Sequence, residues 1–232
     1  MNKSPYMAKL TNFPADRVPA PPYTDRYWVP LCDGTQLELP IEPLPGGEQA
    51  IVLLMSNQTP FIVEDKLASL LAVAVAELEP EVIIGVPTMG LDYARLIAAR
   101  LGHEHYAAFG TSRKFWYDEE LSVPVNSVTS PGVMKRLYLD PALLDRVAGK
   151  RAVIIDDVIA TGSTIRSAVE LALKTGAEIA GLGFVFSEED PWKDVLREFS
   201  VDLPGKVRVI GEIPRLYQVP GGWAPQPVGA LT

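Results

Sequence analysis

The sequence predicts an α/β fold: an open, mostly parallel twisted sheet with helices on both faces, joined by β-rich segments near the chain ends. Three observations carry that prediction. From residue 50 onward, short apolar runs alternate with stretches of helical periodicity, the pattern of βαβ units around a sheet buried on both sides. Nine of the 21 prolines lie before residue 46 and five after residue 203, so the long middle is the regular part. With 47% hydrophobic residues in 232, the chain can bury a full core without the disulfide that a single cysteine, Cys32, denies it.

In the first zone, Tyr27-Trp28-Val29 and Gln36-Leu37-Glu38-Leu39 flank Asp33-Gly34, which reads as a hairpin within a β-rich flap over residues 24–45. Core strands are expected at Ala50–Met55, Glu81–Val86, His105–Phe109, Arg151–Asp156, Ile179–Phe186 and Val207–Ile210. Helices are expected at Glu64–Leu78, Leu91–Leu101, Ser163–Lys174 and Trp192–Phe199. In the first of these, Leu67, Leu70, Leu71, Ala74, Val75 and Leu78 recur at helical spacing and mark a buried face. Thr111 to Pro131 shows no element. Long loops inside a domain are typically functional, and this one leaves the strand edge where open α/β sheets bind ligands.

Charge and composition exclude several classes. A formal net charge of -8 removes the long-range attraction to phosphate backbones, so nucleic acid is not an expected partner. The longest nearly apolar run, Leu67 to Ala76, is far shorter than the roughly 20 residues of a membrane span. The first residues lack a secretory apolar stretch, and a cytoplasmic location is expected. His103 and His105 have no third ligand beside them and read as structural or exposed.

The segment richest in chemistry is Ala152 to Ile165, AVIIDDVIATGSTI. An apolar strand is followed by two carboxylates, then by a small-residue turn that opens a helix. Free amides at a helix N-terminus, with the hydroxyls of Thr161, Ser163 and Thr164, suit a phosphate monoester, and Gly162 permits close approach to it. Asp156 and Asp157 are acceptors for vicinal hydroxyls, so the pair of features suits ribose 5-phosphate. Read singly, the acids merely end a strand and the hydroxyls merely cap a helix. Gly85 and Gly90 stand at P-loop spacing, but Leu91-Asp92 occupies the place of the essential Lys-Ser/Thr. Gly181-Leu182-Gly183 lacks the third glycine of a dinucleotide fingerprint.

The run VIIDDVIATGSTI resembles the phosphoribosyl pyrophosphate (PRPP) signature of the type I phosphoribosyltransferases, with likeness from about Glu64 to Ile210. SRKFWYDEELSVPVNSVTS followed by KRLYL resembles the purine branch. That branch holds adenine and xanthine phosphoribosyltransferases and the PRPP-binding domain of purine-operon repressors. The resemblance implies that Asp156 and Asp157 hold the ribose hydroxyls and that Ala160, Thr161, Gly162, Ser163 and Thr164 bind the 5-phosphate. It implies a pyrophosphate loop at Pro87, Thr88, Met89 and Gly90, with a non-proline cis peptide near Thr88-Met89, and a pyrophosphate clamp at Arg113 and Lys114. Lys135 and Arg136 are weaker candidates of that kind.

The implied reaction moves the phosphoribosyl group of PRPP to a purine or purine-like base. It uses Mg²⁺ held mainly by PRPP, with Asp156 and Asp157 as its protein contacts and no dedicated metal ligands. The loop from Thr111 would close as a lid, with Phe115, Trp116 and Tyr117 excluding solvent. For the base, Phe186 or Trp192 could stack on it and Ser187 read its edge; the alternative is that both aromatics are core. A homodimer is implied. The family organisation gives residues 1–49 as part of a hood, 50–212 as the phosphoribosyltransferase core, and 213–232 as a tail in the hood or a dimer contact. Neither end aligns with a known member, and Tyr27, Trp28, Tyr217 and Trp223 form an aromatic set there. A PRPP-binding regulator without catalysis is the rival reading.

Overall fold

The structure, a computed structural model, describes residues 7–11, 17–125 and 135–225. In chain order its strands and helices are β1 (Lys9–Thr11), β2 (Arg26–Pro30), β3 (Gln36–Pro43), β4 (Gln49–Val52), α1 (Phe61–Ala76), β5 (Val82–Gly85), α2 (Gly90–Arg100), β6 (Ala107–Gly110), β7 (Ser122–Val125), β8 (Lys135–Leu139), α3 (Leu144–Val147), β9 (Arg151–Ile159), α4 (Ser163–Lys174), β10 (Glu178–Glu188), α5 (Pro191–Arg197), β11 (Val207–Ile213), β12 (Leu216–Val219) and β13 (Gly222–Pro225).

Two sheets organise the chain. The larger runs β11-β10-β9-β5-β6-β8-β7. Its first five strands are mutually parallel, and β8 and β7 add an antiparallel edge. Every residue of β5 is buried, as are the last nine of β10, so these strands read as continuous apolar runs. Alternate residues go to opposite faces. Ile83, Val153 and Ile155 meet α1 and α2 through Leu67, Leu71, Val75 and Ile97, while Ile84, Ala152 and Ile154 meet α4 and α5 through Ile165, Ala168 and Leu196. The glycine Gly183 belongs to this packing, since a Cβ there would stand 2.7 Å from Ile155 and 2.8 Å from Val75.

The smaller sheet is antiparallel throughout and draws on both ends of the described chain: β1 and β2 pair with β3, then β3 with β4, β4 with β12 and β12 with β13. It forms the hood. The Asp33-Gly34 turn joins β2 to β3 as expected, with Gly34 at φ 84° and the Asp33 carboxylate accepting from the Thr35 amide at 3.1 Å. Cys32 donates its amide to Ile210 O of β11 at 2.9 Å, and Lys66 of α1 pairs with Asp33, so the hairpin is tied to the core.

The expected α/β class with a β-rich hood is therefore observed, with local corrections. Ala50–Met55 does not open the parallel sheet. Residues 49–52 alternate between half-buried and buried and pair in the hood, whereas a central parallel strand is buried on both faces. The stretch Thr111 to Pro131 is not bare loop either, because Ser122–Val125 pairs with Lys135–Leu139. β7 escaped notice because it is short and contains Pro124, which an edge strand tolerates. Residues 126–134 of that segment lie outside the described residues. α3 has only four residues, too few for a helical period. No helix among the described residues is long and apolar enough to cross a membrane.

Candidate active site

The candidate site lies at the C-terminal edge of the parallel sheet. β9 carries Asp156 opposite Phe184 of β10 and stays paired through Ile159 opposite Ser187. The two aspartates therefore sit inside the paired strand, not at its exit. Asp156 Oδ1 accepts the amide of Asp157 at 2.9 Å. Both side chains keep partial exposure, yet protein crowds them closely enough that burial raises both carboxyls, and Asp157's charge raises Asp156 further.

Beyond Ile159, the turn Ala160-Thr161-Gly162 leads into α4. Gly162 is the N-cap, with φ 82°, a left-handed conformation that disfavours other residues. A Cβ there would also stand 3.1 Å from Trp192 Cα and from Val195 Cβ of α5. The first turn of α4 carries no acidic residue. Thr161 Oγ1 and Ser163 Oγ lie 3.2 Å apart, so the two hydroxyls converge at the helix start. Asp156 through Ile165 all border one cavity of about 350 Å³. The aspartate pair and the Ala160–Thr164 turn are thus brought together.

The Pro87-Thr88-Met89-Gly90 turn joins β5 to α2 and reaches Asp156. A Cβ on Gly90 would stand 2.7 Å from Asp156 Cα and 2.8 Å from Asp156 Oδ1. A non-proline cis peptide is present, at Pro87-Thr88, one bond before the expected place. Arg113 and Lys114 are exposed and do not border the cavity; Arg113 Nε pairs with Glu119 Oε2 at 3.2 Å. Arg136 donates to Ser122 Oγ at 2.6 Å and faces the same Glu119 at 3.8 Å. Phe115 is 97% exposed, and Trp116 Nε1 donates to Asp140 Oδ2 at 3.2 Å.

The base-stacking assignment of Phe186 and Trp192 does not fit the structure. Phe186 is fully buried among core and hood residues, and Trp192 is buried with its Nε1 on Glu189 O at 2.9 Å. Both are core, because β10 continues two residues past Phe186 as a buried strand and Trp192 packs where Gly162 passes. Ser187 is buried and borders a second cavity of about 410 Å³. Phe184 and Glu188 border the first cavity, and sequence reasoning missed the other residues that complete it: Ile213, Arg215, and the stretch Ile51–Leu54 with Leu44. Glu188 and Arg215 form an ion pair at 2.7 Å. No local pattern flags them, since they meet across 27 residues of sequence. His103 is half-buried and His105 exposed beside Glu104.

The model of the phosphoribosyl transferase domain matches residues 53–204. The chain belongs to that family. Among its relatives is the adenine phosphoribosyltransferase of Sorangium cellulosum, 29% identical over 170 residues, covering 63% of this chain and 69% of that one. Another is the transcriptional regulator GfcR of Archaeoglobus fulgidus, 32% identical over 91 residues and covering 39% of each chain. The adenine phosphoribosyltransferase structure from Thermoanaerobacter pseudethanolicus shares the fold, with TM-score 0.53 at 19% identity over 66% of this chain and 81% of that one. The family match ends at residues 53 and 204, so Leu44, Gln49 and Arg215 lie outside it.

Proposed function

We propose that this chain transfers the 5-phosphoribosyl group of PRPP to a purine or purine-like nucleobase with release of pyrophosphate. The observation that carries the reading is the joint placement of Asp156-Asp157 and the Ala160–Thr164 turn on one cavity wall, at the N-terminus of a 12-residue helix. Backbone amides and the helix dipole receive the 5-phosphate. The aspartates accept the two ribose hydroxyls, which fixes C1 toward the rest of the cavity. A base nitrogen attacks C1 as the bond to pyrophosphate breaks, and the positive charge that develops on the ribose favours a site bordered by carboxylates.

Asp156 and Asp157 are hard oxygen donors on the cavity wall, which suits Mg²⁺ arriving with PRPP; bound there, it would neutralise diphosphate charge. Pro87–Gly90, beside Asp156, is the proposed pyrophosphate turn. Arg113 and Lys114 would join it only after the loop moves from its pairing with Glu119. The relatives named adenine phosphoribosyltransferase support a purine acceptor. A homodimer acting in the cytoplasm is proposed with this activity, and a monomeric mass by light scattering removes the dimer.

The test is pyrophosphate release from Mg-PRPP with adenine, hypoxanthine, guanine, xanthine, orotate and uracil, with the D156N/D157N variant as blank. Base-dependent release with purines is expected. Tight calorimetric binding of PRPP without release from any base would replace transfer with the sensor reading, which the match to a transcriptional regulator favours. Unchanged PRPP affinity in D156N/D157N would remove the site itself.

A further inference from the structure

We infer that Glu188 and Arg215 form the acceptor-reading pair of this site, selecting a neutral heterocycle whose edge carries a hydrogen-bond donor beside an acceptor. The inference rests on the proposed transfer and names the substrate class it takes.

The register places the pair. Asp156 on β9 lies opposite Phe184 on β10, and Glu188 at the end of β10 lies opposite Ile213 at the end of β11. Arg215 follows two residues later, between β11 and the hood strand β12. Neighbouring strands are about 4.8 Å apart and Glu188 lies four residues, about 13 Å, beyond Phe184, so the Asp156 and Glu188 backbones stand about 14 Å apart, a span that the two side chains with a ribose and its base between them can fill. All of these residues border the same cavity. Apart from the aspartates, the ion pair and the hydroxyls of the α4 turn, its wall is apolar, with Phe184 and Ile213 from the core strands and Leu44, Ile51 and Leu53 from the hood side. An apolar cavity wall with a few polar groups is the usual construction of a site for a small ligand.

The pair itself is incompletely used. Glu188 has 8% side-chain exposure and Arg215 22%. Arg215 Nε donates to Glu188 Oε1 at 2.7 Å and Nη1 approaches Gln49 Oε1 at 3.5 Å. Among the described residues, neither Arg215 Nη2 nor Glu188 Oε2 has a hydrogen-bond partner. A buried ion pair is a poor way to stabilise a fold unless its remaining donors and acceptors are also satisfied. A ligand edge does that: its acceptor accepts a hydrogen bond from Nη2 and its N–H donates one to Oε2. Amide and amidine edges of nucleobases both carry this adjacent pair. The two side-chain charges cancel, so an anionic base such as orotate gains nothing and faces the Glu188 carboxylate. A site built to hydrogen-bond a substrate group discriminates strongly against analogues that lack it.

The test separates base recognition from phosphoribosyl binding. Calorimetry on the full-length protein compares ribose 5-phosphate with the 5-monophosphates of inosine, adenosine, uridine and orotidine. A purine monophosphate is expected to bind at least tenfold tighter than ribose 5-phosphate, and orotidine monophosphate no tighter. R215M and E188Q are expected to erase that gain while ribose 5-phosphate affinity stays within twofold. Should R215M fold poorly, R215K, which keeps the charge but loses the planar fork, and the apolar double variant R215M/E188L carry the same comparison. A gain that survives these variants, a gain for orotidine monophosphate, or no gain for any monophosphate overturns the inference. Failure of ribose 5-phosphate to bind the parent protein instead overturns the proposed function.

Discussion

Gly90 is the point where the second strand-to-helix turn leans on the aspartate pair, and substituting it by alanine tests whether that contact positions the site. The Cβ of G90A would stand 2.7 Å from Asp156 Cα and 2.7 Å from Ile155 O, both backbone atoms of β9, and 2.8 Å from Asp156 Oδ1. Ordinary contact begins at 3.4 Å, so about 0.7 Å of separation is needed between α2 and β9. Neither partner can rotate away. Ile97 and Tyr93 of α2 are fully buried on one side, and β9 is paired on both edges. Overpacking of this kind costs about 1–3 kcal/mol. For a chain of this size that lowers Tm by roughly 2–12 °C. Because the intruding group also touches the Asp156 carboxylate, PRPP affinity should fall at least tenfold in calorimetry, beyond any loss of folded protein. A variant with Tm within 1 °C of the parent and PRPP affinity within twofold would refute the argument that this turn holds Asp156 in place.

Burial raises both aspartates, and this has a sign in pH. A carboxyl whose folded pKa exceeds its unfolded value of about 3.9 holds its proton better when folded, so folding is favoured at acid pH and that contribution is lost as pH rises through the folded pKa. D156N, which cannot ionise, should therefore raise Tm relative to the parent at pH 8, with the gain shrinking toward pH 4.5; an equal gain at both values contradicts a raised pKa. In the loop after β6, Phe115 is 97% and Trp116 53% exposed, so F115A/W116A should leave Tm nearly unchanged and PRPP binding intact while lowering turnover. Unaltered turnover would mean these rings do not seal the site.

The parts of the molecule legible in the sequence are those whose partners are near in sequence or whose periodicity is unbroken. α4 begins at Ser163 and ends at Lys174 as read, because its turn, glycine and apolar face are contiguous. The core strands emerge for the same reason, since strands buried on both faces are uninterrupted apolar runs. The hood does not. Ala50 pairs with Leu216, and Tyr23 bridges to Trp223 through two hydrogen bonds of 2.7 Å. Those pairings are set by the third dimension, and short one-sided strands resemble core strands when read singly. Phe186 and Trp192 show the converse limit. Their position after α4 suggests a stacking surface, yet an aromatic near a site more often fills the core behind it.

This division has a functional consequence. The phosphoribosyl half of the site is written in one run, Asp156 to Thr164, and lies inside the segment shared with the family. The proposed acceptor half draws on Leu44, Ile51 and Leu53, Glu188, and Arg215, and of these Leu44, Ile51 and Arg215 fall outside that segment. A donor site can therefore be kept while the wall facing it is rebuilt. Relatives with different acceptors, an adenine and an orotate phosphoribosyltransferase, match this chain at the same 29% identity. The family match, which spans residues 53–204, does not distinguish them. On the proposed reading the choice of base follows from what the hood brings to the edge of β10, and the only charged side chain it contributes to the cavity wall among the described residues is Arg215.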